Sequence, residues 1–423
     1  MARRRKTRRP KEKATEQVVR ISELGWHGDG VGDVDGKRVF VPFTLAGEEV
    51  RAMVSGTRGQ LLEILESAPE RVEPSCPYFA QCGGCAVQHL DTESYADWKR
   101  QVIVRALQNR DVDAPVAPLL DAHGEGRRRV TLHVRFSPEA IHVGFMQGHS
   151  HKLIDIDSCP ILCGELAQAT KIARALAEPF VSKPKPLDIQ LTASETGLDC
   201  DIRGCGELDL DARMDLSDCA IKHDLARVTV DRDMVLERRP PVLTFATAKV
   251  TLPPAGFLQA TKAGEDALSS LVSEAIGDVK KVVDLYCGIG PFALRLASRC
   301  SVMAYDSDEE AFNALNFAAH HTQGLKPVTA HMRDLIHNPL HVEELKDFDA
   351  VVFDPPRAGA EAQAIELAQS KIGTVVAVSC NPATFAHDAA ILIDGGYRLE
   401  QVTPVDQFRY AGHVELVSVF RRS

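Results

Sequence analysis

Three short stretches carry residues able to do covalent and acid–base chemistry. Cys380 closes the apolar run GTVVAVSC and is followed by NPATF. A thiol at a strand end can serve as a nucleophile, although a cysteine there is more often packing. Glu415, in GHVELVSVF, sits on a following strand-like run and is a candidate general base. Asp354-Pro355-Pro356-Arg357 ends the preceding apolar run, DAVVF. The two prolines stop that strand and can turn the groups around Asp354 into a site, or they can act as a simple breaker. Singly, each has an unremarkable structural explanation. Together and in this order they indicate a reaction centre.

A cofactor site is written upstream. VVDLYCGIGPF sets a glycine turn, with Gly288 and Gly290, between a strand and a helix. Such a turn allows close backbone approach to a ligand. Asp306 ends the next strand, 22 residues after Asp284, where an acid can take two ribose hydroxyls. A nicotinamide dinucleotide is the natural rival ligand. The motif lacks the third glycine that a pyrophosphate requires, whereas S-adenosylmethionine has no phosphate to bind, so a methyl donor is favoured. A tyrosine in the fourth place after such prolines suits methylation of an amino group, and Arg357 stands there instead. Cys380 suits a carbon target. A thiolate added to carbon 6 of uracil makes carbon 5 nucleophilic, and a base must then remove the carbon 5 proton so that the thiol can leave.

The elements that hold these residues follow from pattern. From about residue 261, helical spacing (Leu268, Leu271, Val272, Ala275, Ile276) alternates with strand-like runs. Two of those runs are nearly continuous in apolar residues, as in parallel strands buried on both faces, so a doubly wound, Rossmann-like α/β domain is expected. Residues 15–68 read as short strands (EQVVRISEL, KRVFVPFTL, EEVRAMVSG, QLLEILESA) separated by turns such as HGDGVGDVDG, the pattern of a small β-barrel. After a loop-rich stretch, a helix starts at an Asp91 cap with Tyr95, Trp98, Val102 and Ala106 near one face. Residues 127–250 look β-rich, with one helix around Glu165–Ala177, making a central α+β domain.

Charge is uneven. The net charge is -10, yet residues 1–13 carry eight Lys or Arg against Glu12 alone. That tail, and Arg127-Arg128-Arg129, could meet phosphates or simply solvent. No stretch approaches the ~18 apolar residues needed to span a membrane, and no secretory signal is evident, so a cytoplasmic protein with no membrane partner is expected. Eleven cysteines in such a chain are not a disulfide framework. Cys76, Cys82 and Cys85, with Cys159 as a fourth, offer four soft ligands for zinc or an iron–sulfur cluster, and spacing does not separate the two.

FLQAT, DLYCGIGPF, FDPPRAGA, SCNPAT and PVDQF-x5-HVE resemble, in order, the signatures of the RNA uracil-5-methyltransferase family, and residues 15–68 resemble a TRAM domain, an RNA-binding barrel. The resemblance implies Cys380 as nucleophile and Glu415 as proton acceptor. It also implies S-adenosylmethionine contacts from Gln259, Tyr286, Asp306, Asp334 and Asp354, with Gly288 in the turn. Two positions depart from the pattern: Pro291 stands where several relatives carry Asn, and His387 where many have Arg. The prolines after Cys76 and Cys159 resemble the 4Fe-4S site of the rRNA branch. The substrate expectation is therefore a uridine of 23S rRNA, with tRNA the neighbouring alternative and a monomer expected. An RNA-binding factor with a vestigial core is a different class, which intact Cys380 and Glu415 argue against; a small-molecule methyltransferase would leave the barrel idle. The expected boundaries are a tail at 1–14, a barrel at 15–70, a central domain at 71–250 (its helix 91–110 able to pack with the catalytic part) and a catalytic domain at 251–423.

Overall fold

The computed structural model describes residues 13–148 and 150–422, so residues 1–12 of the expected basic tail lie outside it. The chain divides into two compact units, one running to Trp98 with Tyr410–Gly412 and the other comprising Lys99–Arg409 and the residues from His413 on.

In the first unit, β1 (Thr15–Leu24), β2 (Asp29–Val34), β3 (Lys37–Pro42), β4 (Glu49–Ser55) and β5 (Arg58–Glu66) close a barrel in the order β1-β2-β3-β5-β4. Alternate residues (Val19, Ile21, Val39, Val41, Val50, Ala52) fill its interior, as the period of two requires. The stretch HGDGVGDVDG, expected to be a turn, contains all of β2. Its glycines permit close approach: a Cβ on Gly30 would lie 2.0 Å from Thr44 Oγ1, and one on Gly32 2.4 Å from a Val19 methyl. Within that stretch the turns are left to the two ends, His27 and Gly28 before β2 and Asp35 and Gly36 after it. Helix α1 (Thr92–Gln108) begins where expected, with Asp91 Oδ1 accepting the N–H groups of Glu93 and Ser94.

In the second unit, β6 (Leu120–Asp121) is followed by the central sheet. Its elements are β7 (Arg129–Phe136), β8 (Ile141–Met146), β9 (Leu153–Asp155), α2 (Ala169–Ala177), β10 (Leu187–Ser194), β11 (Gly197–Arg203), α3 (Leu210–Lys222), β12 (Arg227–Val230) and β13 (Asp233–Glu237), in the strand order β13-β12-β11-β10-β7-β8-β9. Helix α3 is a correction to the single helix expected here. It buries only Leu216 and Ala220, too narrow a stripe to read from periodicity, and Asp209 caps it by accepting from Ala212 N. Cys163 and Cys200 lie in this core.

A hairpin, β14 (Val242–Phe245) and β15 (Ala248–Thr251), leads to the Rossmann-like part. This contains α4 (Lys262–Ile276), β16 (Lys281–Leu285), α5 (Pro291–Leu296), β17 (Ser301–Asp306), α6 (Glu309–His321), β18 (Val328–Met332), α7 (Val342–Leu345), β19 (Ala350–Phe353), α8 (Glu361–Gln369), β20 (Thr374–Ser379), α9 (Pro382–Asp394), β21 (Tyr397–Asp406) and β22 (Glu415–Arg422). The sheet order is β18-β17-β16-β19-β20-β22-β21-β6. Strands β18 to β20 are parallel, and β22 runs antiparallel to β20, which brings its first residues to the carboxyl edge. Among the described residues, no helix is long and apolar enough to cross a membrane.

Candidate active site

The order reverses between β16 and β19, the position at which open α/β sheets bind ligands. Leu285 pairs with Phe353, and Phe353 with Ala377. The residues just beyond (Tyr286 to Gly288, Asp354, Cys380) therefore share one edge. Ser379 pairs with Leu416 across β20 and β22, so Glu415, which starts β22, reaches the same edge beside Cys380. Sequence could supply the residue types; the antiparallel pairing of β22 brings the acid to the thiol.

The glycine turn is tight. Tyr286 adopts φ +61°, unusual for a residue with a side chain, and Gly288 and Gly290 are at +52° and +83°. A Cβ on Gly290 would strike Leu315 at 2.4 Å, whereas one on Gly288 would meet nothing, leaving the turn open on its ligand side. Gly288 N–H donates to Asp306 Oδ2 at 2.7 Å, and Asp306 Oδ1 accepts from Asp308 N at 2.9 Å. Tyr286 Oη is buried without a partner, and burial pushes its phenol up to about 12. An unsatisfied hydroxyl beside an open glycine turn fits a polar nucleoside ligand. Pro291 takes the first helical position of α5, where its missing N–H costs nothing.

The reacting end is acidic. Gln259 Nε2 donates to Asp354 Oδ2 at 3.3 Å, and Gln407 Nε2 donates to Glu415 Oε1 at 3.2 Å. Burial raises both Asp354 and Glu415, and the charge of Asp354 adds to the push on Glu415, so one of the pair tends to hold a proton. Burial, then the charges of Glu415 and Asp354, push the Cys380 thiol up to about 11; Arg357, through its charge and a hydrogen bond, pulls it down. The Arg357 carbonyl is pinned by Asn381 Nδ2 at 2.9 Å and Thr384 Oγ1 at 3.3 Å. Asp334, on the loop after β18, is exposed and bonded to His337 Nδ1 at 2.7 Å, which lowers its carboxyl.

Residues 255–422 match the family described as tRNA (Uracil-5-)-methyltransferase, and residues 10–63 match the TRAM domain. An uncharacterized RNA methyltransferase of Brucella suis is 42% identical over 96% of this chain and 97% of its own. The chain belongs to the RNA (uracil-5-)-methyltransferase family. The 23S rRNA (uracil(1939)-C(5))-methyltransferase of Chromohalobacter salexigens is 33% identical over 97% of this chain and 90% of that one. The crystal structure of Pyrococcus abyssi tRNA (uracil-54, C5)-methyltransferase with S-adenosyl-L-homocysteine superposes with a TM-score of 0.72 at 24% identity, covering 96% of this chain and 100% of that one, a likeness of fold. The activity that follows is S-adenosylmethionine-dependent methylation of RNA uracil at carbon 5.

Several groups that hold the methyltransferase site together escape a linear reading. Gln407 is fully buried and touches both Gln259 and Glu415. Lys99 is equally buried, donating to Asp406 Oδ1 at 2.8 Å and to the carbonyls of Phe408 and His413, which secures the loop that carries Gln407. A lysine is rarely fully buried unless paired, and nothing in its helical stripe announces the partner. The arginine cluster is corrected at Arg128 alone. Arg128 does not face solvent: it is buried, with Nε on the Gln259 carbonyl at 3.1 Å and Nη2 on Glu265 at 2.5 Å. Arg129 bonds the Gly256 carbonyl at 3.2 Å, and Arg127 lies over the Phe408 ring at 5.7 Å. His387 pairs with Asp388, which accepts from Ala360 N at 2.7 Å and so braces the turn after Asp354.

The four-cysteine expectation gains no support here. Among the described residues, no three His, Cys, Asp or Glu side chains gather as a metal site. Burial raises the thiol of Cys82, the Gly84 N–H at 3.3 Å from its Sγ pulls it back, and Cys76, near enough to be felt, adds a smaller upward push.

Proposed function

We propose that this methyltransferase acts on a uridine of 23S rRNA, with Cys380 as the covalent nucleophile and Glu415 as the base. The observation that carries the chemistry is the meeting of a thiol, two elevated acids and Arg357 at one sheet edge next to an open glycine turn. Tyr286, Gly288, Asp306, Asp334, Asp354 and Gln259 would hold S-adenosylmethionine, which supplies an electrophilic methyl group when bound. Cys380 Sγ adds to carbon 6 of a uracil turned out of its stack, and the electron pair of the 5,6 double bond becomes available at carbon 5. After methylation, Glu415 takes the carbon 5 proton, the double bond re-forms and the thiolate leaves.

The rRNA address is supported by the 33% identical relative, whose name specifies 23S rRNA and whose length the alignment nearly fills. The tRNA reading is supported by the description of the family matching residues 255–422. Mass mapping of 5-methyluridine in rRNA and tRNA from a strain lacking the gene decides between them: loss from 23S rRNA is expected, and loss from tRNA alone overturns the assignment. For the chemistry, RNA containing 5-fluorouridine cannot release a carbon 5 proton and is expected to trap a covalent adduct. An adduct formed equally well by Cys380→Ala would remove Cys380 from its role.

The sequence-derived ligand set Cys76, Cys82, Cys85 and Cys159 is proposed to hold a 4Fe-4S cluster, with zinc the competing occupant. Protein purified anaerobically should be brown, with broad absorption near ~400 nm. Colourless, zinc-loaded protein would overturn it. A monomer acting in the cytoplasm completes the proposal, and sedimentation tests the first part.

A further inference from the structure

The amide of Gln407 can face only one way. Its Oε1 accepts the backbone N–H of Ala260 at 2.7 Å and of Thr261 at 3.4 Å, which turns its nitrogen to the opposite side. From there Nε2 donates to Gln259 Oε1 at 2.5 Å and to Glu415 Oε1 at 3.2 Å. Gln259, fixed as an acceptor, must in turn present its own Nε2 to Asp354 Oδ2 at 3.3 Å. Gln407 is fully buried, so water does not compete for these bonds. Glu415 is thereby left with two unlike oxygens. Oε1 is held by a fixed donor, and Oε2 is buried without any hydrogen-bond partner. An oxygen that faces an N–H is a poor seat for a second proton; its twin is open to one.

We infer that Gln407 is a positioning residue that reserves Oε2 of Glu415 as the oxygen receiving the carbon 5 proton. This rests on the role proposed for Glu415. In the step, the C5–H bond breaks and its proton goes to Oε2. The C5–H electron pair forms the 5,6 double bond, and the C6–S pair returns to Cys380 as a thiolate. By donating to the carboxylate, Gln407 also opposes the upward push of burial on Glu415.

The test is Gln407→Met, which keeps the volume and removes the donor. Single turnovers on uridine RNA separate addition, read as covalent complex on denaturing gels, from release of methylated RNA. Release is expected to slow about tenfold at neutral pH, the effect of one pKa unit on the base, with its pH profile displaced upward while addition slows less. In a Glu415→Gln background the same substitution should add little, because the group it orients is gone. Gln407→Asn, shorter but still an amide, should fall between wild type and Gln407→Met, and it serves if the methionine variant folds poorly. Wild-type release with an unmoved pH profile in Gln407→Met, or full additivity with Glu415→Gln, overturns the inference. If Glu415→Gln itself releases product at the wild-type rate, the base assignment fails, and the inference falls with it.

Discussion

Arg128 donates through Nε to the carbonyl of Gln259 at 3.1 Å, tying the first long strand of the central sheet to a glutamine that reaches Asp354. The same guanidinium pairs with Glu265, which is also held by Arg295 at 2.8 Å. A residue that looked like part of a phosphate-binding patch is a brace for the reaction centre.

Replacing Arg128 with Met should therefore cost about 2 kcal/mol of stability, since Glu265 keeps Arg295 but loses one charged bond. Urea unfolding measures this, and calorimetry should find weaker S-adenosylmethionine binding as Gln259 loosens. Arg128→Lys should not restore either property, because an ammonium cannot make the forked contact. RNA affinity at varied salt should keep its slope, which it would not if Arg128 contacted phosphate.

Arg357 is the cation that opposes the upward push on Cys380. The thiol is pushed up to about 11, so the thiolate fraction rises with pH throughout the neutral and alkaline range. Adduct formation on 5-fluorouridine RNA should rise with it. Arg357→Met should move that profile to higher pH, with each unit of displacement costing about tenfold in rate at fixed pH. A profile lowered but not displaced would mean that Arg357 acts by binding RNA.

Asp284 is fully buried, and burial with the charges of Asp354 and Asp306 raises its carboxyl well above the usual range. The folded protein then binds protons that the unfolded chain has already lost, so stability falls as pH rises above the ordinary carboxylate range. The thermal midpoint of ligand-free protein should decline as pH rises above the ordinary carboxylate range, and Asp284→Asn should flatten that decline. An unchanged slope in the variant would locate the effect in Asp354 and Glu415.

Gly30 lies in β2 with no room for a methyl group, since a Cβ would sit 2.0 Å from Thr44 Oγ1. Gly30→Ala should destabilise the barrel by about 1–3 kcal/mol, the range for overpacking. Limited proteolysis should then cleave the first 70 residues sooner than the rest of the chain.

The sequence by itself determined the class of fold and the chemical types at the centre. Short near-continuous apolar runs bounded by turn residues are the pattern of strands buried on both faces, and the glycine turn and Asp354-Pro355-Pro356-Arg357 mark strand ends wherever those strands lie. Helix α1 was legible from its cap because Asp91 acts on its immediate neighbours. What escaped was non-local or weakly patterned. Strand β2 hid behind glycines whose use depends on Thr44 and Val19, and α3 behind a stripe of two buried residues. Gln407 and Lys99 are polar residues whose burial is possible only because partners far along the chain satisfy them. Tertiary structure also decided the state of the candidate catalytic pair. Cys380 and Glu415 are 35 positions apart, and only the antiparallel pairing of β20 with β22 sets the acid beside the thiol, where shared burial lifts both.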